Sequence, residues 1–150
     1  MSRVAVIGIG SPYGADRLGW DVVERMRTDD DREVDYECWN GPLTGLVQRF
    51  QELDAVILVD AALNDEPVGL CRMLTSTQLA GQGLCWSSHG LGLADAVALG
   101  RALHALPARL IIVAAEVGDP TLSAPPEVAV HNAVAAVTSG LQTLGHEPIA

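Results

Sequence analysis

The spacing of apolar and polar residues divides the chain into short strands and amphipathic helices. Val4 to Ile9 is an apolar run rich in β-branched residues that stops at a Gly/Ser/Pro loop, which reads as a strand. A helix follows, with Leu18, Val22 and Met26 spaced four apart on one face, and the polar stretch from Thr28 to Arg32 ends it. From Glu33 to Trp39 polar and apolar residues alternate as on a half-buried second strand, and Asn40-Gly41-Pro42 signals a turn. Leu43, Leu46, Val47 and Phe50 then share one face of a second helix predicted over Leu43 to Leu53. It leads into Ala55 to Val59, continuously apolar and bounded by Asp54 and Asp60, the pattern of a central parallel strand buried on both faces.

Between Ala61 and Gly69 the composition turns to loop residues, and Leu70 to Leu74 predicts a fourth strand. Its connection is too short for a parallel crossover, so an antiparallel placement is expected. Gly81 to Ser88 is loop-like, with Ser88 placed to cap a helix from about Leu91 to Ala105 that carries Leu91, Ala94, Ala98 and Leu99 inward; Pro107 closes it. Arg109 to Ala115 is the last buried strand, ending in Glu116, and Pro126 opens an Ala/Val-rich helix running to about Leu144. The order βαβαβ, one odd strand, then αβα predicts an α/β fold. Right-handed crossovers make it a three-layer αβα sandwich around a mostly parallel, roughly five-stranded sheet with one antiparallel strand.

At 150 residues the chain suits a single domain over 1–150. Although 49% of its residues are hydrophobic, the longest apolar stretches run six or seven residues, far short of the roughly twenty needed to span a membrane. No charged leader with a long apolar core precedes the first strand, so a cytoplasmic location is expected. Cys38, Cys71 and Cys85 form no C-x-x-C pair and are read as reduced, mostly core residues. Nineteen acidic against nine basic residues give a formal charge of −10, which argues against nucleic acid and anionic membrane surfaces as partners. The Asp29-Asp30-Asp31 cluster reads as solvated surface.

In open α/β sheets ligands bind in the crevice at the carboxyl ends of the strands. The loop from Gly8 to Gly19 lies there and carries the ionisable pair Asp16 and Arg17; Asp60 follows the third strand; His89 begins the helix before the last strand, and shares that edge if the preceding loop lies there. Two carboxylates and one imidazole from separate segments could together bind a divalent metal ion. Each also has a purely structural reading: Asp16 as a first-turn acid of the helix, Asp60 as a turn residue, His89 as a histidine satisfied near a helix start. His104, His131 and His146 lie within or at the ends of helical patterns and read as structural or exposed. Ser87, Ser88 and His89 are adjacent, but no G-x-S-x-G elbow surrounds them, and nothing near Cys85 argues for a lowered thiol pKa. The loop Gly8-Ile-Gly10-Ser-Pro-Tyr-Gly14 has the spacing G-x-G-x-x-x-G, and no acid ends the second strand in the ribose-binding position of a dinucleotide site.

Taken together, several segments resemble the hydrogenase maturation proteases, endopeptidases that trim the C-terminus of the large subunit of nickel-iron hydrogenases. The likeness covers most of the chain: Gly8-Ile-Gly-Ser-Pro12, Asp16-Arg-Leu-Gly19, Leu58-Val-Asp-Ala-Ala62, Ser87-Ser-His-Gly-Leu-Gly-Leu-Ala-Asp95, Ile112 to Glu116, Leu122-Ser123 and Pro126-Glu-Val128. It implies that Asp16, Asp60 and His89 are nickel ligands and the catalytic set of a metal-assisted, aspartic-type endopeptidase acting as a monomer. The nickel would arrive in the large-subunit precursor, although other divalent ions could occupy the site. Such a metal polarises the scissile carbonyl or activates a water, which removes the need for a serine or cysteine nucleophile. His89 must be neutral to ligate, so recognition should weaken below about pH 6.5.

Two departures stand out. The first loop is one residue shorter than in the family, and aligning it from Gly10 would put Arg17 in the ligand position; an arginine cannot ligate a cation, so Asp16 is preferred. Asn40-Gly41-Pro42-Leu43-Thr44 stands where the family carries an Asp-Gly-Gly-Thr-like turn. Two other functions remain open at this point: a nickel-insertion checkpoint or chaperone that does not cut, and a nucleotide-binding oxidoreductase.

Overall fold

Every one of the eight residues of strand β3 (Ala55–Ala62) is buried, and the rest of the molecule is layered on the two faces of the sheet around it. The computed structural model describes residues 3–27, 33–80 and 93–146. In chain order these form β1 (Val4–Ile9), a 3-10 turn (Gly14–Arg17), α1 (Leu18–Met26), β2 (Val34–Trp39), α2 (Leu43–Phe50), then β3, β4 (Cys71–Thr75), α3 (Ser76–Ala80), α4 (Leu93–Ala102), β5 (Arg109–Glu116) and α5 (Glu127–His146). The five strands lie in the order β2-β1-β3-β5-β4. The first four are parallel, and β4 runs antiparallel to β5 at the edge, as its short connection requires.

Strand alternation divides the core. On one side Val6, Ile57, Val59 and Val113 pack with Val22 of α1 and Ala133 and Val137 of α5. On the other, Ile7, Val56, Leu58 and Ile112 pack with Phe50 of α2 and Val97 of α4. Successive strand residues face opposite sides, so strands covered by helices on both faces are apolar at every position. The result is the expected three-layer αβα sandwich. Among the described residues, no helix is long and apolar enough to cross a membrane.

Several boundaries differ from the sequence reading. β3 does not stop before Asp60: Ala61 and Ala62 pair with Ala115 and Glu116 of β5, so the ladder continues and the aspartate becomes a strand residue. Helix α2 ends at Phe50 instead of Leu53, because Gln51, Glu52 and Leu53 donate to carbonyls three residues back and tighten the chain into 3-10 geometry. The short α3 has no strong sequence signal.

Helix α4 turns a different face inward. Leu93, Ala96, Val97 and Gly100 are buried, whereas Ala94 and Ala98 are exposed and Leu99 is half-buried. The helix is made almost entirely of small and apolar residues, so two adjacent stripes look alike. Close backbone approach decides between them: a Cβ on Gly100 would lie 3.4 Å from the Phe50 ring. α4 stops at Ala102 because His104 adopts φ +54°, while Ala105 N–H donates to Gly100 O at 2.7 Å and His104 N–H to Arg101 O at 3.1 Å. This is the Schellman arrangement, so His104 is a structural terminator. Leu91, and the loop over Gly81 to Ser88 with its capping serine, lie outside the described residues.

Candidate active site

The chain leaves β1 toward β2 on one side of it and returns to β3 on the other, so the carboxyl ends of β1 and β3 form the sheet's switch point. A crevice opens there in such folds. The first loop folds back over it. Gly10, with φ +145°, lies under Asp16: a Cβ there would collide with the Asp16 carbonyl and sit 3.5 Å from its Oδ1. Only glycine combines that backbone angle with that closeness. Ser11 N–H donates to Asp16 O at 3.3 Å, and Gly10 N–H to Trp39 O at 3.1 Å, which ties the loop to itself and to the end of β2. Gly19, in the first turn of α1, faces the Ile9 and Val59 carbonyls, 2.7 and 2.6 Å from where its Cβ would stand. The helix is thereby pressed onto both strands, with half-buried Asp16 at the crevice.

Asp60 stands at the same edge of the sheet, on β3. Gly8 pairs with Val59, so the next residues along, Ile9 and Asp60, stand side by side. Alternation points Asp60 to the Leu58 side of the sheet, the side covered by α2 and α4. It is fully buried, and its Oδ1 accepts the Ala61 N–H at 2.8 Å.

Arg17 is committed elsewhere. Its Nε donates to Asp21 at 2.7 Å and its Nη2 to Glu24 at 3.0 Å, along the outer face of α1. The hydrogen bond to Asp21 holds its guanidinium pKa above the usual value, with the charges of Glu24 and Asp21 adding to it.

Asp16 and Asp60 both stand at the carboxyl edge of the sheet, Asp16 in the turn packed on Gly10 and Asp60 on the α2 and α4 side of β3, and His89 lies outside the described residues, as do Cys85, Ser87 and Ser88. Among the described residues, no group of three metal-ligating side chains is assembled. The orientation of α4 bears on the third candidate. Gly100, late in α4, lies by Phe50 at the carboxyl end of α2, and α2 runs from the carboxyl end of β2 to the amino end of β3. The first turn of α4 therefore points back toward the carboxyl edge of the sheet.

The two described cysteines are free thiols. Burial raises the Cys38 pKa and pushes that of Cys71 to about 11, so neither has the character of a nucleophile. His131 is exposed on α5, and Asn40 is exposed beyond β2.

One residue at this edge was not singled out from the sequence. Glu116, buried at the end of β5, accepts backbone N–H groups from Asn64 at 2.7 Å, Glu66 at 3.3 Å and Gly118 at 3.1 Å. An acid that ends a strand as apolar as Leu110–Ala115 is the only sequence signal that marks it.

A sequence profile described as hydrogenase maturation protease matches residues 42–140. The chain belongs to the hydrogenase maturation protease family. Solved structures agree with the fold. The chain is similar to the hydrogenase maturating endopeptidase HybD from E. coli, with 21% identity over 95% of this chain and 94% of that one and a TM-score of 0.70. It is also similar to the NiFe hydrogenase maturation protease HycI from Thermococcus kodakarensis, with 20% identity, 97% and 94% coverage and a TM-score of 0.68. A third likeness is to the hydrogenase 2 maturation peptidase from a Thaumarchaeota archaeon, at 22% identity, 97% and 99% coverage and a TM-score of 0.63. No curated protein matches the sequence. At these identities the structures speak for the fold, and the matched profile speaks for the family. As a hydrogenase maturation protease the chain is a peptidase, which sets aside the oxidoreductase reading.

Proposed function

We propose that this hydrogenase maturation protease removes the C-terminal extension of a nickel-iron hydrogenase large-subunit precursor after nickel insertion, working as a monomer in the cytoplasm. Asp16, Asp60 and His89 complete the coordination of the nickel that the precursor carries. The observation that supports this most is that Asp16, in a turn folded over Gly10, and Asp60, on the central strand, both stand at the carboxyl edge of the sheet by its switch point. His89 precedes Leu93 by four residues, at most about 14 Å of extended chain. The first turn of α4, from Leu93, faces the same edge.

The residues divide the work. Asp60 pairs with Ala114 of β5, one residue beyond the point where β3 is paired on both sides, so its backbone is fixed by the ladder. Asp16 sits on a short turn whose approach to Gly10 sets its depth. An ionised carboxylate pair and a neutral imidazole suit a divalent cation of borderline softness. Nickel held there supplies Lewis acidity toward the scissile carbonyl or a water. A precursor lacking nickel presents nothing for the three side chains to grasp and is left uncut.

The test incubates nickel-loaded and metal-free precursor with wild type and with Asp60→Asn, and follows the mass of the precursor. Loss of the extension only with nickel-loaded precursor and wild type is expected. Equal cutting of metal-free precursor contradicts the nickel reading, and binding without any mass loss favours a checkpoint.

A further inference from the structure

We infer that the wall formed by residues 67–71, with the outer edge of β4, docks an extended, apolar and basic segment of the precursor near its scissile bond. The inference rests on the function proposed above and adds the surface that seats the substrate. Residues 67–71, with Asn132 and Ala135 of α5, line an open depression of about 470 Å³. Around it Val68, Leu70 and Val128 are 47%, 40% and 48% exposed. Apolar side chains left in water together mark contact surfaces more often than chance exposure does.

These side chains are held in place. The Glu116 carboxylate accepts from Asn64 and Glu66 at the start of the loop. The Glu116 backbone bonds Gly69 and Leu70 at the loop's end, both at 2.9 Å. Asn132 Nδ2 donates to Gly69 O at 2.9 Å from the side of α5. A loop fastened at both ends loses little freedom when a partner arrives.

Backbone geometry selects an extended occupant. Glu116 N–H donates to Leu70 O, so the Leu70 backbone faces β5, and alternation turns the N–H and C=O of Cys71 and Met73 to the outer edge. The Thr75 N–H is already taken by Gln78 Oε1 at 2.9 Å. Among the described residues nothing pairs with β4 on that side, which leaves a short template for strand addition.

Charge selects the sign. Asp65 and Glu66 immediately precede the lining residues, Glu127 precedes the exposed Val128, and Asp119 follows Gly118, which packs on Val68. Arg72 matches Glu66 and Arg25 matches Glu127, so a negative excess remains for a basic segment. The opposite edge strand, β2, is guarded instead. Arg49 bonds both Asp35 and Glu37 there, and such inserted charges deter strand addition.

Position links the wall to the site. Asp60, Ala114 and Arg72 lie in one row across the sheet. A strand added outside β4 is three spacings of about 4.8 Å from Asp60. About four or five extended residues cover that span.

The experiment measures cleavage of the nickel-loaded precursor of the organism's own hydrogenase by the full chain. Leu70→Asp combined with Val128→Asp should raise KM about tenfold and leave kcat within about twofold. Val68→Glu alone should act in the same direction. Leu103→Asp, at an exposed apolar residue just beyond α4 and remote from the wall, should change neither. Unchanged KM in the folded double variant overturns the docking surface while leaving the proposed function standing. If wild type binds the precursor without cutting it, and Leu70→Asp/Val128→Asp weakens that binding, the surface stands and the cutting role falls. If wild type neither binds nor cuts, both fall.

Discussion

Two carboxylates are buried at the carboxyl edge of the sheet, Asp60 on β3 at 0% exposure and Glu116 on β5 at 2%, and they stand in different places on it. Glu116 is answered by three backbone N–H groups from two loops, so its negative charge is satisfied within the protein and serves to hold those loops. Asp60 stands beside Ile9 at the switch point, where the Asp16 turn folds over Gly10. Burial is common to both; the architectural role of Glu116 is read from the backbone groups it holds, and the proposed working role of Asp60 is for experiment to decide.

The contrast can be broken most sharply at Asp60. Asp60→Asn keeps the shape and removes the charge, and kcat on nickel-loaded precursor should fall on the order of a hundredfold or more with the thermal transition nearly unchanged. Glu116→Ala should do the reverse. It leaves buried N–H groups unanswered and should cost about 2 kcal/mol by urea denaturation, while kcat per folded molecule stays within about threefold and any change falls on KM, through the loop that Glu116 fastens. If Glu116→Ala abolished cleavage without loss of stability, the division between the two acids would be wrong.

A third effect is smaller and concerns pH. The ligand set needs a neutral imidazole at His89, whose unperturbed pKa is about 6.5, so cleavage should fall roughly fivefold between pH 6.5 and 5.5 with the fold intact. Equal rates at pH 5 and pH 8 would remove His89 from the set. The smallest effect lies on the far side of the wall. Burial pushes the Cys71 thiol up to about 11. The unfolded chain loses this proton near pH 8.5, so stability should decline as pH rises between about 8.5 and 11, and Cys71→Ser should flatten the decline. Alkylation of Cys71 at pH 8, followed by mass spectrometry, should be slow beside that of a free thiol.

Much of the layering was legible because apolar runs and loop signals coincide. β1 ends at Ile9 where the Gly/Ser/Pro loop begins, and the short link to β4 left an antiparallel edge as the reasonable placement. Asp60 was misplaced by one boundary, since a charge after Val59 looks like a strand end. The pairing that extends β3 comes from Ala115 and Glu116, more than fifty residues away. The inward face of α4 was misread because Leu93–Ala102 is apolar nearly all round, and the close approach of Gly100 to Leu106 and Phe50 breaks the tie. Glu116 could not be recognised as an anchor, because its partners are backbone amides and carry no signature in residue type. At the site, the loop after β1 and the acid following an apolar strand pointed to Asp16 and Asp60, and the structure places both at the carboxyl edge of the sheet.

The central claim is that Asp16, Asp60 and His89 supply ligands to nickel carried by the precursor. X-ray absorption at the nickel edge, on nickel-loaded precursor alone and freeze-quenched with the protein, addresses it directly. The expected result is a gain of carboxylate oxygen and imidazole nitrogen neighbours on mixing with wild type, lost with Asp16→Asn/Asp60→Asn. An identical nickel environment with and without the protein, in samples that go on to be cleaved, would contradict it.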